Sequence, residues 1–175
     1  MASVVEVAKY FLLLNKRAYE RVRKEDDKDY SFETQADIIT HLKIQKLVYY
    51  AQGLHLAYFE KPLFDENIEA WKHGPVVKEL YDSFKQYGRK DLMLVFNDIQ
   101  ESDLDLSDNE KYIIKMAFNE YGAYSAIGLR QKTHNEPTWL ETYKPLKNIV
   151  IHKDKIKEFF IEQIRNKIDE IYRSC

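Results

Sequence analysis

Apolar residues recur at three- and four-residue steps through most of this chain, the period of an amphipathic helix. Over residues 3–24, Val5, Ala8, Leu12, Asn15, Tyr19 and Val22 share one face, with Lys16, Arg17, Arg21 and Lys24 on the wetter side. A second helix is predicted over residues 41–59. Ile44, Leu47, Val48, Ala51, Leu54 and Tyr58 form its stripe, and Leu42, Tyr49 and Tyr50 widen it. A helix apolar over so much of its circumference belongs at the centre of a domain. Thr40 can cap its start by accepting an orphan backbone N–H. Gly53 lies inside it, where glycine costs ~1 kcal/mol against alanine, so a close helix approach is expected there. A long last helix is predicted over residues 153–173, with Ile156, Phe160, Ile164, Ile168 and Ile171 on one face.

Between these helices the pattern shortens. Residues 60–74 contain Pro62, Asp65, Asn67 and Gly74 around the alternating Phe64, Ile68 and Ala70, which suits a short strand pair. Gly74-Pro75 is expected to open a third helix, since proline at the first helical position loses no intrahelical bond. Val76, Val77, Leu80, Tyr81 and Phe84 would be its core face and Gly88 its end. Leu92 to Phe96 fits a buried strand or a short helix equally well at that length. Ser107-Asp108-Asn109-Glu110 is a capping box for a helix reaching Tyr121 and stopped by Gly122. A further helix is predicted at 125–133, and Thr138 to Glu141 repeats the capping-box spacing for a short one. Lys24 to Asp29 has no apolar member and is expected to be a solvated loop. The sum is a mainly α, compact single-domain fold over residues 1–175. It has six or seven helices and a small β element near residues 62–72.

Composition narrows this picture. Five glycines and four prolines in 175 residues leave few tight turns, which disfavours a sandwich or barrel of many short strands. A net charge of −2 supplies no global attraction to nucleic acid or anionic lipid. The single cysteine, Cys175, can form no internal disulfide. The N-terminal run is broken by Glu6, Lys9 and Asn15, unlike a signal peptide. No stretch reaches the ~20 apolar residues of a membrane span. A cytoplasmic protein without a membrane segment is expected.

Catalytic chemistry finds little to stand on. The five glycines form no phosphate loop, and no serine sits in a Gly-x-Ser-x-Gly elbow. His41 and His55 are fourteen residues apart, about 21 Å along one helix, and cannot share an ion. His134 and Glu136, two apart, are the candidates for a hydrolase or metalloenzyme. No cofactor is expected. Lys153, Lys155 and Lys157 are offset by Asp154 and Glu158, so no basic stripe for nucleic acid forms. Thirteen tyrosines remain, an amphipathic residue enriched at protein interfaces. That excess points to a protein that binds other proteins.

The run Thr40-His41-Leu42-Lys43-Ile44-Gln45-Lys46-Leu47-Val48-Tyr49-Tyr50-Ala51-Gln52-Gly53 resembles the signature helix of the Panacea domain family. These are SocA-like antitoxins, often described as phage-associated GepA-like proteins. A second block, Pro62-Leu63-Phe64 and then Ile68-Glu69-Ala70-Trp71-Lys72-His73-Gly74-Pro75-Val76-Val77, follows at the expected distance. A third, Thr133-His134 with Glu136 and Trp139, is similar to the family's Thr-His-x-Glu-x-Pro-Trp element, with Pro137 displaced by one. The resemblance covers about residues 40–140. It implies a helical domain with a small β element, and a non-enzymatic antitoxin that binds and neutralises a toxin encoded nearby. It carries over no catalytic residue.

Two roles for the signature stay open. Ile44, Leu47, Tyr49, Tyr50, Trp71, Gly74 and Pro75 would build scaffold, with the Trp71 indole N–H in need of an acceptor. Alternatively, Lys43, Gln45, Lys46, Gln52, His73, His134 and Trp139 would line a groove for a toxin segment, along an exposed edge of the 41–59 helix. A phage or mobile-element protein binding a host factor, such as a defence nuclease or protease component, is the second function the same scaffold suits.

Overall fold

The computed structural model describes residues 1–25 and 38–174. Eight helices and a three-stranded sheet occur among them. The helices are α1 (Val4–Glu25), α2 (His41–Phe59), α3 (Lys78–Phe84), α4 (Leu92–Val95), α5 (Asp108–Tyr121), α6 (Ala126–His134), α7 (Pro137–Leu140) and α8 (Lys153–Ser174). The strands are β1 (Ile68–Trp71), β2 (Gly74–Val77) and β3 (Ile149–Val150), in the order β2-β1-β3 and antiparallel throughout. The fold is mainly α, as expected, and Leu92 to Val95 resolves as a one-turn helix capped by Asp91.

Helix α2 is the hub. It packs against α1, α3, α5, α6, α8 and β2, and every residue from Lys43 to Leu56 is buried. Its near all-round apolar character predicts that position. The Thr40 side chain accepts from the Lys43 amide as a cap. Gly53 is the expected close approach: a Cβ there would sit 2.2 Å from the Phe160 ring of α8. The Ser107–Glu110 capping box forms in full at the start of α5, and Ser125 caps α6.

Two expectations are corrected. Gly74-Pro75 does not open a helix. Residues 74–77 are strand β2, paired Ile68↔Val77 to Trp71↔Gly74, and α3 begins only at Lys78. Proline is tolerated because β2 is an edge strand, where a missing N–H breaks no ladder on the outer side. Gly74 takes φ +97 as the chain leaves the Lys72-His73 turn, a conformation natural to glycine. The strand pair is therefore shifted toward higher numbers than 60–74, and β3 joins from residues 149–150. Second, the short helix α7 starts at Pro137, with Glu136 rather than Thr138 in the cap position. The amphipathic stripes of the end helices, predicted as single faces, are covered over only part of their length. In α1, Val4, Val7, Ala8, Tyr10, Phe11, Leu12 and Leu13 are buried, whereas Tyr19 is 46% exposed. In α8, Ile156 and Phe160 are core, whereas Ile168 is 47% exposed. Of the expected solvated run, Lys24 and Glu25 extend α1, and residues 26–29 lie outside the described residues, as does Cys175.

Among the described residues no helix is long and apolar enough to cross a membrane.

Candidate functional site

The polar signature residues of α2 point inward and fasten the segments around it. Lys43, Lys46 and Gln52 are fully buried and Gln45 nearly so. The expectation that Lys43, Lys46 and Gln52 mark an exposed helix edge is corrected by that burial. The physical reason is that each finds backbone partners inside, which a buried polar group requires. The Lys43 Nζ donates to the Gly122 carbonyl at 2.7 Å. The Gln45 amide makes a two-way bond with Val77, accepting from its N–H at 2.8 Å and donating to its carbonyl at 3.3 Å. Lys46 donates to the Pro75 carbonyl at 2.7 Å. Gln52 accepts from the Leu63 and Phe64 amides and donates to the Phe64 carbonyl. Helix α2 thus holds β2 and the 63–64 segment through side chains that mimic backbone.

Tyr49 and Tyr50 converge on one carboxylate. Each donates from its hydroxyl to a separate oxygen of Glu136, at 2.8 Å in both cases, and the Tyr49 hydroxyl is 2.7 Å from Thr138 Oγ1. Burial raises the Glu136 carboxyl above its ordinary value, while the two phenol hydrogen bonds act to lower it. Burial and the neighbouring Glu136 charge push both tyrosines up. Tyr50 also stacks on Tyr121, with centroids 3.9 Å apart.

Beside this buried network lies a cationic one. Arg130 Nε donates to His73 Nδ1 at 3.2 Å. The His134 ring stacks on Trp139 at 3.9 Å, and Trp139 on Tyr143 at 4.7 Å. The Trp139 indole donates to the Trp71 carbonyl at 2.8 Å, tying α7 to β1. The Trp71 indole finds the acceptor it needs in Glu69 Oε2. His134 and Glu136 therefore serve different neighbourhoods: the imidazole lies against Trp139 and the carboxylate is taken by Tyr49 and Tyr50. Among the described residues no group of three or more His, Cys, Asp or Glu side chains could hold a metal.

The family model described as "Antitoxin SocA-like, Panacea domain" matches residues 44–140. The chain belongs to this SocA-like Panacea family. Antitoxin SocA of Caulobacter vibrioides (strain NA1000 / CB15N) is 42% identical over 52 residues, covering 30% of this chain and 28% of that relative. No solved structure matches. The matched region runs from the core of α2 to the end of α7, so it contains the fastenings made by Gln45, Lys46, Tyr49, Tyr50 and Gln52, while Lys43 lies one residue before it.

Of the sequence candidates, the structure brings Lys46, His73 and His134 together and places Trp139 beside them. It leaves Lys43, Gln45 and Gln52 as separate fastenings, and Ile44, Leu47, Tyr49, Tyr50 and Pro75 as core. Arg130 and Thr138 are the participants that sequence reading missed. Arg130 was within reach, because it lies four residues before His134 on the same helix face.

Proposed function

We propose that the protein is an antitoxin that neutralises a toxin encoded beside it through direct binding, without catalysing a reaction. The observation that carries this reading is the Panacea family match over residues 44–140. The burial of the signature supports a scaffold role for it: the shared residues hold the fold, and the partner reads side chains that lie outside it. The Glu136 carboxylate, engaged on both oxygens by tyrosine hydroxyls, is poorly placed to act as a catalytic base.

The proposed partner surface is an exposed groove whose lining mixes apolar side chains with charged ones, among them the Lys167–Glu120 ion pair. It lies between the C-terminal part of α2, α5 and α8, with a volume of about 680 Å³. Leu54, Tyr58, Met116, Phe160, Ile164 and Ile168 supply its apolar lining. Tyr58 and Ile168 are each nearly half exposed, and clustered exposed apolar side chains mark interaction sites. The occupant proposed for it is an amphipathic toxin segment, its apolar side on these residues and its polar side toward Glu120, Lys132 and Lys167.

Co-expression with each neighbouring gene product, followed by purification through a tag on this protein, tests the reading. A stoichiometric complex with a product that is toxic alone is expected. Rescue of growth with no complex to any neighbouring product would overturn direct binding, and capture of a host nuclease or protease component instead would favour the host-factor role.

A further inference from the structure

Lys46, His73, Arg130 and His134 converge at the β1–β2 turn from three elements. Lys46 rises from α2, His73 sits in the turn, and Arg130 and His134 share a face of α6. Lys46 is fully buried, and its ammonium donates to the Pro75 carbonyl alone among the described residues, although it has three donors. His73 is exposed, and Arg130 and His134 are half-buried, so these three form a rim above it. Because Arg130 occupies His73 Nδ1, that imidazole carries its proton on Nε2. The buried Nε2 of His134 has no hydrogen-bond partner. No described carboxylate forms an ion pair with any of the four.

The cluster is electrostatically unbalanced. Burial and then Arg130 push Lys46 down to about 7. Burial, Arg130, Lys72 and Lys46 lower His73, and burial, Arg130, Lys46 and His73 lower His134. Like charges held together at a half-buried site are unfavourable unless an opposite charge joins them. Gly74 makes the convergence possible: a Cβ there would come 2.8 Å from Thr133 Oγ1 and 3.0 Å from Lys46 Nζ.

We propose that Lys46, His73, Arg130 and His134 form a receptor site for a single oxyanion, a carboxylate or a phosphate group. The two terminal nitrogens of Arg130, which make no hydrogen bond to described residues, supply the planar two-pronged donor suited to such groups. The imidazole N–H groups of His73 and His134 flank it, and Lys46 contributes charge from beneath. The stack on Trp139 fixes the plane of the His134 ring. This site stands apart from the α2–α5–α8 groove and does not depend on the antitoxin reading.

Inorganic phosphate and acetate, titrated separately at constant ionic strength, are the probes. Thermal unfolding and the imidazole NMR signals are the readouts, compared among the wild type, Arg130→Gln, His73→Gln, Lys46→Met and the distant surface control Lys115→Gln. The wild type and Lys115→Gln should show a saturable rise in Tm with matching shifts at His73 and His134. Arg130→Gln should weaken that binding by ~10-fold or more, as expected for losing a charge-assisted bond. Saturation by phosphate alone identifies a phosphate-bearing ligand, and saturation by acetate identifies a carboxylate. If Lys46→Met fails to fold, Arg130→Gln and His73→Gln, altered at the rim, still decide the matter. No saturable effect of either anion, or an unchanged effect in both rim variants, would overturn the site.

Discussion

Lys46 shows how far one residue can depart from its ordinary behaviour. Lysine is almost always surface material, and in sequence Lys43 and Lys46 read as the wet edge of an otherwise apolar helix. Their burial depends on carbonyls at Gly122 and Pro75, 79 and 29 residues away, and no local pattern contains those acceptors. The cost of that burial gives a signed expectation. Unfolded Lys46 keeps its proton to about 10.5, and in the folded state it is pushed down to about 7. Between those values the unfolded chain binds more protons, so stability contributed by this group rises with pH through the window and is lost as pH falls through the folded value. Chemical denaturation across that window should therefore show a rise in the wild type that Lys46→Met lacks, and parallel profiles would contradict the burial. Gly53 is the opposite case, legible from sequence because a glycine in a central helix asks for a reason. Helix propensity alone makes Gly53→Ala stabilising by ~1 kcal/mol. The Phe160 ring, 2.2 Å from the new Cβ and itself buried, reverses the sign, and a loss of ~1–3 kcal/mol is expected on denaturation.

At the scale of elements, sequence reading succeeded where the determinant was local and failed where it was tertiary. The starts of α2 and α5 follow from Thr40, Ser107 and Glu110, whose caps act within three residues. The sequence at β2 predicts a helix start instead, because Gly-Pro followed by two valines satisfies the rule for proline at a first turn. The strand wins through pairing with β1 and through the Gln45 side chain, which binds both polar groups of Val77. Gln45→Met preserves size and removes both bonds. It should cost roughly 2 kcal/mol or more, since it leaves buried backbone groups unsatisfied, and should accelerate amide exchange at Val77. Unchanged exchange there would mean that β2 is held by the sheet alone. The sequence predicts the apolar stripe of α8, and the structure covers only its first half. Periodicity shows which face is apolar and not how much of its length has a neighbour. The proposed consequence is that Ile168, on the uncovered half, serves a partner. Ile168→Glu should leave unfolding within ~0.5 kcal/mol of wild type, as for other surface changes, while weakening toxin binding measurably by calorimetry. Full affinity in this variant would place the interface on another face.

For the molecule as a whole, the family signature and the physical core coincide. Tyr49, Tyr50 and Glu136 join α2 to the α6–α7 segment, Gln45 and Lys46 join it to the sheet, and Gln52 joins it to residues 63–64. A signature spent on such fastenings specifies a scaffold and leaves the rest of the surface free to suit a particular partner. That division explains why the fold class is legible from the sequence and the proposed binding face is not: core residues declare themselves by period, while the groove proposed as the interface is a shape that α2, α5 and α8 form together. The central claim is that toxicity is relieved by occupancy rather than by turnover. It is tested most directly by titrating this protein into a fixed amount of the purified toxin from the neighbouring gene while following residual toxin activity. Binding predicts a linear fall with a break at a fixed molar ratio and full activity of the excess toxin below it. Complete loss of toxin activity at a small fraction of that ratio, progressing with time, would contradict the account and establish catalysis in its place.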